Sequence, residues 1–401
     1  MTPWLSIVGL GEDGLEGLSS AAAALVANAE VLIGGERHLG LIPDDGRERL
    51  TWPSPLKLLI PEIQRRRNQR VCVLATGDPL CYGVGTTLAR HIPIEEMTIL
   101  PGASAFALAC ARLGWSLPDS DTLTLHGRPV ELINAYLQPD ARILALSDSA
   151  ATPAQVAGLL CEQGYGDSAM TVLEHMGGPK ERRLDARAKD WNGRAVADFN
   201  TIAVQCIAGP DARLCPRVAG LPDSAFQHDG QLTKREVRAA TLAALAPVPG
   251  QLLWDVGAGC GSVAIEWMRA DHRNKAVAVE RKAERRSLIA ANAAALGAPT
   301  LTVVAGEAPA ALDGLPPPDT VFIGGGLTTS GLVEACWAAL RPGGRLVANA
   351  VTLEGEQALF AQRVAIGGEL SRIAVSRAEP VGPFTGWRPL MPVTQFAARK
   401  P

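Results

Sequence analysis

The chain has 401 residues, 47% of them apolar and 20% charged, and a formal net charge of −3. That length calls for two or three domains with substantial cores and excludes a disordered chain. The slightly acidic balance argues against a general nucleic-acid or membrane binder. Eight cysteines, at 72, 81, 110, 161, 206, 215, 260 and 336, are scattered without a Cys-x-x-Cys pair or a histidine-rich cluster, so no metal site is expected. They read as small core residues of a reducing cytoplasm. The start, Met1-Thr2-Pro3-Trp4, has no basic leader, and no apolar run reaches membrane length, so a cytoplasmic protein is expected.

In chain order, the first half predicts a strand at 5–8, a helix at 18–27, and strands at 31–33, 71–75 and 98–100. Beyond Trp115 the pattern changes, with strands expected at 122–125, 142–146, 169–173 and 201–205 in a second lobe. Gly9-Leu10-Gly11-Glu12-Asp13-Gly14 matches the spacing of a dinucleotide turn, and Glu36 could serve as its ribose-binding acid. Yet Gly34-Gly35 stands where the second strand of such a unit should end. Two further turns, Gly77-Asp78-Pro79 and Pro101-Gly102-Ala103-Ser104, have no place in that scheme.

Between Ile207 and Gly230 the alternation of strands and helices lapses into Pro210, Pro216 and Pro222 with Gly and Asp, a linker composition. Thr233 then reads as a helix N-cap with Glu236 at the third helical position, a capping box. The second half predicts helices at 233–245, 262–269, 283–296 and 332–340, interleaved with strands at 251–256, 276–280, 301–305, 320–323 and 345–350. Such alternation implies a doubly wound, mostly parallel sheet with its ligand at the C-terminal strand ends. Asp255-Val256-Gly257-Ala258-Gly259-Cys260-Gly261 closes the first of these strands and opens a helix. Glycines let the backbone approach a ligand closely, and the helix N-terminus favours an anionic group such as a carboxylate. Glu280 lies 19 positions beyond Gly261, where an acid ends the second strand and accepts ribose hydroxyls. The tight Gly-x-Gly-x-Gly spacing resembles the S-adenosyl-L-methionine site of Rossmann-like methyltransferases.

The three turns of the first half, with Thr124-Leu125-His126-Gly127-Arg128 and Val172-Leu173-Glu174-His175-Met176-Gly177-Gly178-Pro179, together resemble the tetrapyrrole methylase family over about residues 1–208. The second half resembles the decarboxylating precorrin methyltransferases of cobalamin synthesis over about residues 220–400. This likeness runs through Asp229-Gly230-Gln231-Leu232-Thr233-Lys234-Arg235-Glu236-Val237-Arg238, the Asp255 turn, Gly324-Gly325-Gly326 and Pro342-Gly343-Gly344. The resemblances imply an α/β protein in three segments. A two-lobed tetrapyrrole methylase fold spans 1–208, with lobes at about 1–115 and 116–208. A linker at 209–229 leads to a Rossmann-like class I methyltransferase and decarboxylase domain at 230–401.

They further imply two S-adenosyl-L-methionine sites and a precorrin substrate. The first half would methylate carbon 5 of precorrin-6B. The second would methylate carbon 15 and decarboxylate the carbon-12 acetate, giving precorrin-8X. The cofactor residues are expected to be Gly9, Gly11, Gly77, Asp78, Pro79, Gly102 and Ser104 in the first half. In the second they are Thr233, Asp255, Gly257, Ala258, Gly259, Cys260, Gly261, Glu280, Gly306, Glu307 and Ala308. Candidate substrate contacts are Tyr82, His126, Lys234, Arg235 and Arg238, the basic ones because the substrate carries many carboxylates. Arg281, Lys282, Arg285 and Arg286 read as a solvated helix face, and the other five histidines as surface or core positions. No catalytic nucleophile is identified, since the sulfonium methyl is already electrophilic and the protein's task is alignment and charge control. A cobalt-loaded substrate and an RNA methyltransferase remain alternative readings. A homo-oligomer is expected, with neither nucleic-acid nor membrane partners.

Overall fold

The protein is described here by a computed structural model covering residues 3–401; Met1 and Thr2, part of the expected leaderless start, lie outside the described residues. The chain divides into two compact units. The first comprises the described residues up to Arg128 together with Pro139–Asp211, and the second comprises Pro129–Gln138 and Ala212–Pro401.

Unit 1 holds two five-stranded sheets. Strands β1 (Leu5–Leu10), β2 (Val31–Gly34), β3 (Glu48–Thr51), β4 (Val71–Thr76) and β5 (Met97–Leu100) form a parallel sheet in the order β3-β2-β4-β1-β5. β1 and β4 are near-continuous runs of buried residues, as expected of strands covered on both faces. Apolar clusters around Leu5, Ile7 and Val73 and around Val8, Leu32 and Leu74 fill the two sides. The second sheet joins β6 (Asp121–Thr124), β7 (Arg142–Leu146), β8 (Ala169–Glu174), β9 (Arg182–Arg187) and β10 (Asn200–Gln205) in the order β6-β7-β10-β8-β9, antiparallel except for β6 on β7.

Unit 2 is built on a seven-stranded sheet. The strands β11 (Leu252–Val256), β12 (Lys275–Glu280), β13 (Thr302–Ala305), β14 (Thr320–Ile323) and β15 (Arg345–Ala350) run parallel. β16 (Glu369–Ile373), a separate hairpin of β17 (Ser376–Val381) and β18 (Phe384–Pro389), and β19 (Val393–Arg399) complete the chain. The sheet order is β13-β12-β11-β14-β15-β19-β16, with β19 antiparallel to both its neighbours. β11 leads outward to β12 and β14 leads the other way to β15, so a crevice opens between their C-terminal ends.

The elements expected from periodicity end at residue 350, whereas the structure continues with the helix Leu353–Ile366 and four strands. β16, β17 and β18 lack a strict alternation of buried and exposed positions, which leaves little period-2 signal. Residues 129–138, expected in the second lobe of the first half, belong to unit 2. A Cβ on Gly297 would lie 2.2 Å from the Ala135 nitrogen, so the helix end accepts this segment only because it has no side chain there. Asn134 donates to the Ala294 carbonyl at 3.1 Å and Gln138 to that of Cys215 at 2.7 Å.

Two expectations at the entry to unit 2 are corrected. The helix is Arg235–Leu245 with Lys234 at its N-cap and no side-chain cap, so the Thr233 capping box does not form. Its cap comes from outside: Asp223 Oδ1 accepts from the Arg235 nitrogen at 2.9 Å. Arg238, expected to meet substrate carboxylates, is fully buried. Its guanidinium donates to Glu266 at 2.5 Å, to Asp223 and to the carbonyls of Thr233 and Leu221. Glu266 in turn accepts from the backbone nitrogens of Gly220 and Leu221 at 2.6 and 3.0 Å. Arg238 is therefore an internal strut tying the linker to the sheet. Arg238→Ala leaves the Glu266 carboxylate buried and unpaired, and is expected to lower the stability of unit 2 by about 3–5 kcal/mol in urea denaturation.

Candidate functional site

In unit 1 the turns after β1, β4 and β5 interlock through glycine. A Cβ on Gly9 would lie 1.8 Å from the Gly77 oxygen and 2.3 Å from the Gly102 nitrogen. The Gly102 nitrogen donates to the Gly77 carbonyl at 2.9 Å, and that of Gly77 to Leu10 at 3.1 Å. Three backbone turns thus form one wall with no side chain at its centre. Asp78 Oδ1 accepts from the Leu80 nitrogen at 2.8 Å, folding its own turn around the buried Pro79. Ser104 caps the helix Ala105–Leu113, its Oγ accepting from the Ala107 nitrogen at 3.1 Å. Gly11 begins the loop that carries Glu12 and Asp13, and a Cβ there would lie 2.4 Å from the Asp13 carboxylate.

Tyr82 adopts a left-handed φ of 55°, uncommon for a bulky residue. Its half-exposed ring meets Phe106 edge-on at 6.1 Å, with the Arg128 guanidinium 5.6 Å from its centre. His126 is exposed and faces Asp148 at 3.3 Å.

A polar cluster at the same sheet edge has no signature in the sequence. Glu12 pairs with Arg37 and, at 2.8 Å, with Nδ1 of His175. Arg37 donates to Thr76 at 2.8 Å and lies 4.2 Å above the Phe199 ring. His38 Nε2 lies 2.9 Å from Thr76 and 3.0 Å from Arg37. Burial, with the neighbouring Arg37 charge, lowers the His38 pKa to about 4. Glu12 and His175 are 163 positions apart, so no local spacing could announce their contact.

In unit 2 the expected turn forms at the β11–β14 crevice. Gly257, Gly259 and Gly261 all have positive φ, at 72°, 60° and 81°. A Cβ on Gly257 would lie 2.9 Å from the Gly325 nitrogen, so position 257 has no room for a side chain. Glu280 is buried, and both of its oxygens hold backbone: Gly259 donates to one and Lys282 to the other, each at 3.0 Å. The acid fixes the loop and retains lone pairs for a further donor.

Asp255 is 1% exposed; one oxygen accepts from the Ala264 nitrogen at 3.0 Å and the other has no partner. Burial pushes its carboxyl up to about 7, against the bond from Ala264 and with a smaller contribution from Glu280. Cys260 packs in the core, so only its backbone can meet a ligand. Ala258 stands half-buried on the turn.

Because Glu280 and Ala305 are register partners, Gly306, Glu307 and Ala308 continue the same sheet edge. Glu307 is exposed and makes only a 3.4 Å pair with Arg281. Thr233 and Lys234 are half-buried and Arg235 is exposed. The helix face expected to be solvated is so only in part: Arg285 is largely buried and holds Asp229 and Gln231 at 2.8 and 2.6 Å. Gln231 thereby reaches the turn, its carbonyl 3.8 Å from the place of a Gly259 Cβ.

Two family models match the chain: Tetrapyrrole (Corrin/Porphyrin) Methylases at residues 5–191, and Precorrin methyltransferase domain at residues 224–400. A protein of Sinorhizobium named precorrin-6Y C(5,15)-methyltransferase [decarboxylating] is 48% identical over 100% of this chain and 97% of its own. The chain belongs to this decarboxylating precorrin methyltransferase family. A Mycobacterium tuberculosis protein of the same name is 44% identical over 98% of this chain and 99% of its own. A Salmonella typhimurium protein named cobalt-precorrin-7 C(5)-methyltransferase is 35% identical over 44% of this chain and 88% of its own. The chain is a methyltransferase, and its family uses S-adenosylmethionine as the methyl donor. A glycine wall that no Cβ can enter and a buried carboxylate oxygen awaiting a donor both suit that cofactor, which offers a flat nucleoside and an ammonium group.

Two consequences can be measured. Gly257→Ala must push the Gly325 backbone aside and hold alanine left-handed, a strain of about 1–2 kcal/mol. It is expected to weaken S-adenosylmethionine binding to unit 2 about tenfold or more by titration calorimetry. A carboxyl raised from 3.8 to about 7 on folding makes the native state hold a proton that the unfolded chain releases. Stability then falls as pH rises between about 4 and 7. Asp255→Asn removes that slope, so its stability relative to wild type should be higher at pH 8 than at pH 4 in urea titrations.

Proposed function

We propose that this enzyme methylates carbons 5 and 15 of metal-free precorrin-6B and decarboxylates the carbon-12 acetate, yielding precorrin-8X, with one S-adenosylmethionine site in each unit. The observation that carries the reading is the presence of two separate glycine-walled sites, at Gly9–Gly77–Gly102 and at Gly257–Gly325, in a chain that aligns end to end with relatives named for both carbons. A division of the two methylations between the units, with carbon 5 assigned to unit 1, draws support from the Salmonella relative, in that it matches under half of the chain and is named for one carbon alone. The full-length relatives carry no cobalt in their names, which favours the metal-free substrate.

When bound, S-adenosylmethionine supplies an electrophilic methyl group, and the macrocycle supplies the carbon nucleophile. The protein aligns the two. In unit 2 the free oxygen of Asp255 accepts from the methionyl ammonium, and the Ser262–Ala270 helix N-terminus faces the carboxylate. Glu280 uses its remaining lone pairs on the ribose, and Gly306–Ala308 flank the adenine. In unit 1 the backbone of the three turns, with Asp78, Pro79 and Ser104, frames the second cofactor. Lys234 and Arg235 in unit 2, and Tyr82 and His126 in unit 1, are the side chains assigned to the substrate. The hairpin β17–β18 leaves Phe384 and Trp387 about three-quarters exposed, which supports self-association of the chain.

Incubation with S-adenosylmethionine and metal-free precorrin-6B is expected to add two methyl groups and remove one carbon dioxide by mass spectrometry; an unchanged substrate mass would refute the reading. Gly257→Ala is expected to suppress the carbon-15 methyl and the decarboxylation, and to spare carbon 5.

A further inference from the structure

Exchanging the hydrogen on carbon 5 for a methyl group releases one proton, and unit 1 holds one imidazole placed to receive it. His175 immediately follows β8 of the second sheet of unit 1, while Glu12 follows the Gly9–Gly11 turn and Thr76 immediately precedes Gly77. The 2.8 Å bond from His175 Nδ1 to Glu12 therefore stands beside the glycine wall. Three features hold the pair. Gly178 lets the His175 loop close on Glu12, since a Cβ there would lie 2.6 Å from that of Glu12. Phe199 packs against the imidazole with 5.7 Å between ring centres, and its other contact is the Arg37 guanidinium that also pairs with Glu12. His175 itself has a φ of 45°, a conformation costly for a residue with a side chain and one that collects at functional sites.

The hydrogen bonds decide which nitrogen is free. Burial opposes ionisation of Glu12, but His175 and Arg37 outweigh it and hold the carboxyl below its ordinary value. An ionised carboxylate only accepts, so Nδ1 carries the hydrogen, and a neutral ring then has its lone pair on Nε2. Nε2 makes no hydrogen bond to any described residue. In His38, by contrast, Nε2 already lies within hydrogen-bond distance of both Arg37 and Thr76, at 3.0 and 2.9 Å.

We propose that His175 Nε2 is the base that takes the carbon-5 proton, with Glu12 as the positioning residue that sets its tautomer; this rests on the assignment of carbon-5 methylation to unit 1. The new carbon–carbon bond forms as the methyl–sulfur bond breaks, the sulfur leaving as a neutral thioether with the electron pair. The C5–H electrons return to the macrocycle and the proton passes to Nε2, where the Glu12 carboxylate stabilises the imidazolium.

The test uses the full chain with precorrin-6B and 13C-methyl-labelled S-adenosylmethionine, locating each methyl by NMR in single turnovers. His175→Asn keeps a donor toward Glu12 and tolerates a left-handed backbone, but has no basic nitrogen. It is expected to slow carbon-5 labelling by about 100-fold or more. His175→Gly, also at ease with that φ, should slow equally and recover at least tenfold with added imidazole. Carbon-5 labelling at the wild-type rate in His175→Asn, or a slow His175→Gly that imidazole does not restore, would overturn the proposal. Independently of turnover, long-range 1H–15N spectra of the wild type should show His175 protonated on Nδ1, a preference lost in Glu12→Leu, which has no acceptor. Protonation on Nε2 would overturn it as well. A wild-type enzyme that never labels carbon 5 would instead fail the functional reading of unit 1.

Discussion

The structure depends on one steric constraint: at the C-terminal edges of two parallel sheets, backbone must touch backbone. Where the turns after β1, β4 and β5 meet, a single Cβ on Gly9 would come within 1.8 Å of a carbonyl oxygen. Between β11 and β14 the same condition sets Gly257 against Gly325. Parallel strands bring consecutive turns to one edge, and the turns can pack only if the residues at the crossing have no side chains. A flat, polar wall of this kind suits a nucleoside, so the packing rule leaves a surface fit for the cofactor.

Charge is distributed according to whether it must move. Arg238 and Glu266 are buried together with the half-buried Asp223 at their edge, and Arg377 and backbone nitrogens share in satisfying them. Such a network holds its shape and leaves nothing for a ligand. Asp255 is the opposite case, buried at the cofactor turn with one oxygen unpaired and its carboxyl pushed up to about 7. A cation brought to that oxygen would favour its ionisation. The linker is thus held by paired charge and the site is primed by unpaired charge.

How far the sequence is legible depends on the range of each interaction. The parallel strands other than the short polar β3, the turn at 255–261 and the acid at 280 are local, spaced by the geometry of one strand, turn and helix. Gly77, Asp78 and Gly102 are legible for the same reason. Thr233 looks like a cap because its neighbours fit the pattern, but Asp223, twelve positions before Arg235, supplies the acceptor. Arg238 looks like a surface ligand because burial of an arginine depends on a partner 28 positions away. The Glu12–His175 contact is out of reach altogether, since it forms only when β1 and β8 have folded into place. Periodicity reads elements, whereas partners of buried charge are a property of the tertiary structure.

The fate of the arginines bears on how a polycarboxylate macrocycle is held. Arg238 and Arg269 are buried beneath the sheet of unit 2 with backbone carbonyls among their acceptors, and Arg285 clasps the Asp229–Gln231 loop. In unit 1 Arg37 is committed to Glu12 and Thr76. The fixed cations near the two glycine walls are therefore largely neutralised from within. Exposed cations such as Arg235 keep their hydration and stay available to an anionic ligand. Exposed pairs contribute little each and exchange easily. Such contacts suit a substrate that is methylated at two positions, because a deeply buried arginine clamp would favour a single orientation. The rigid charge serves the fold, and the exposed charge stays free to exchange.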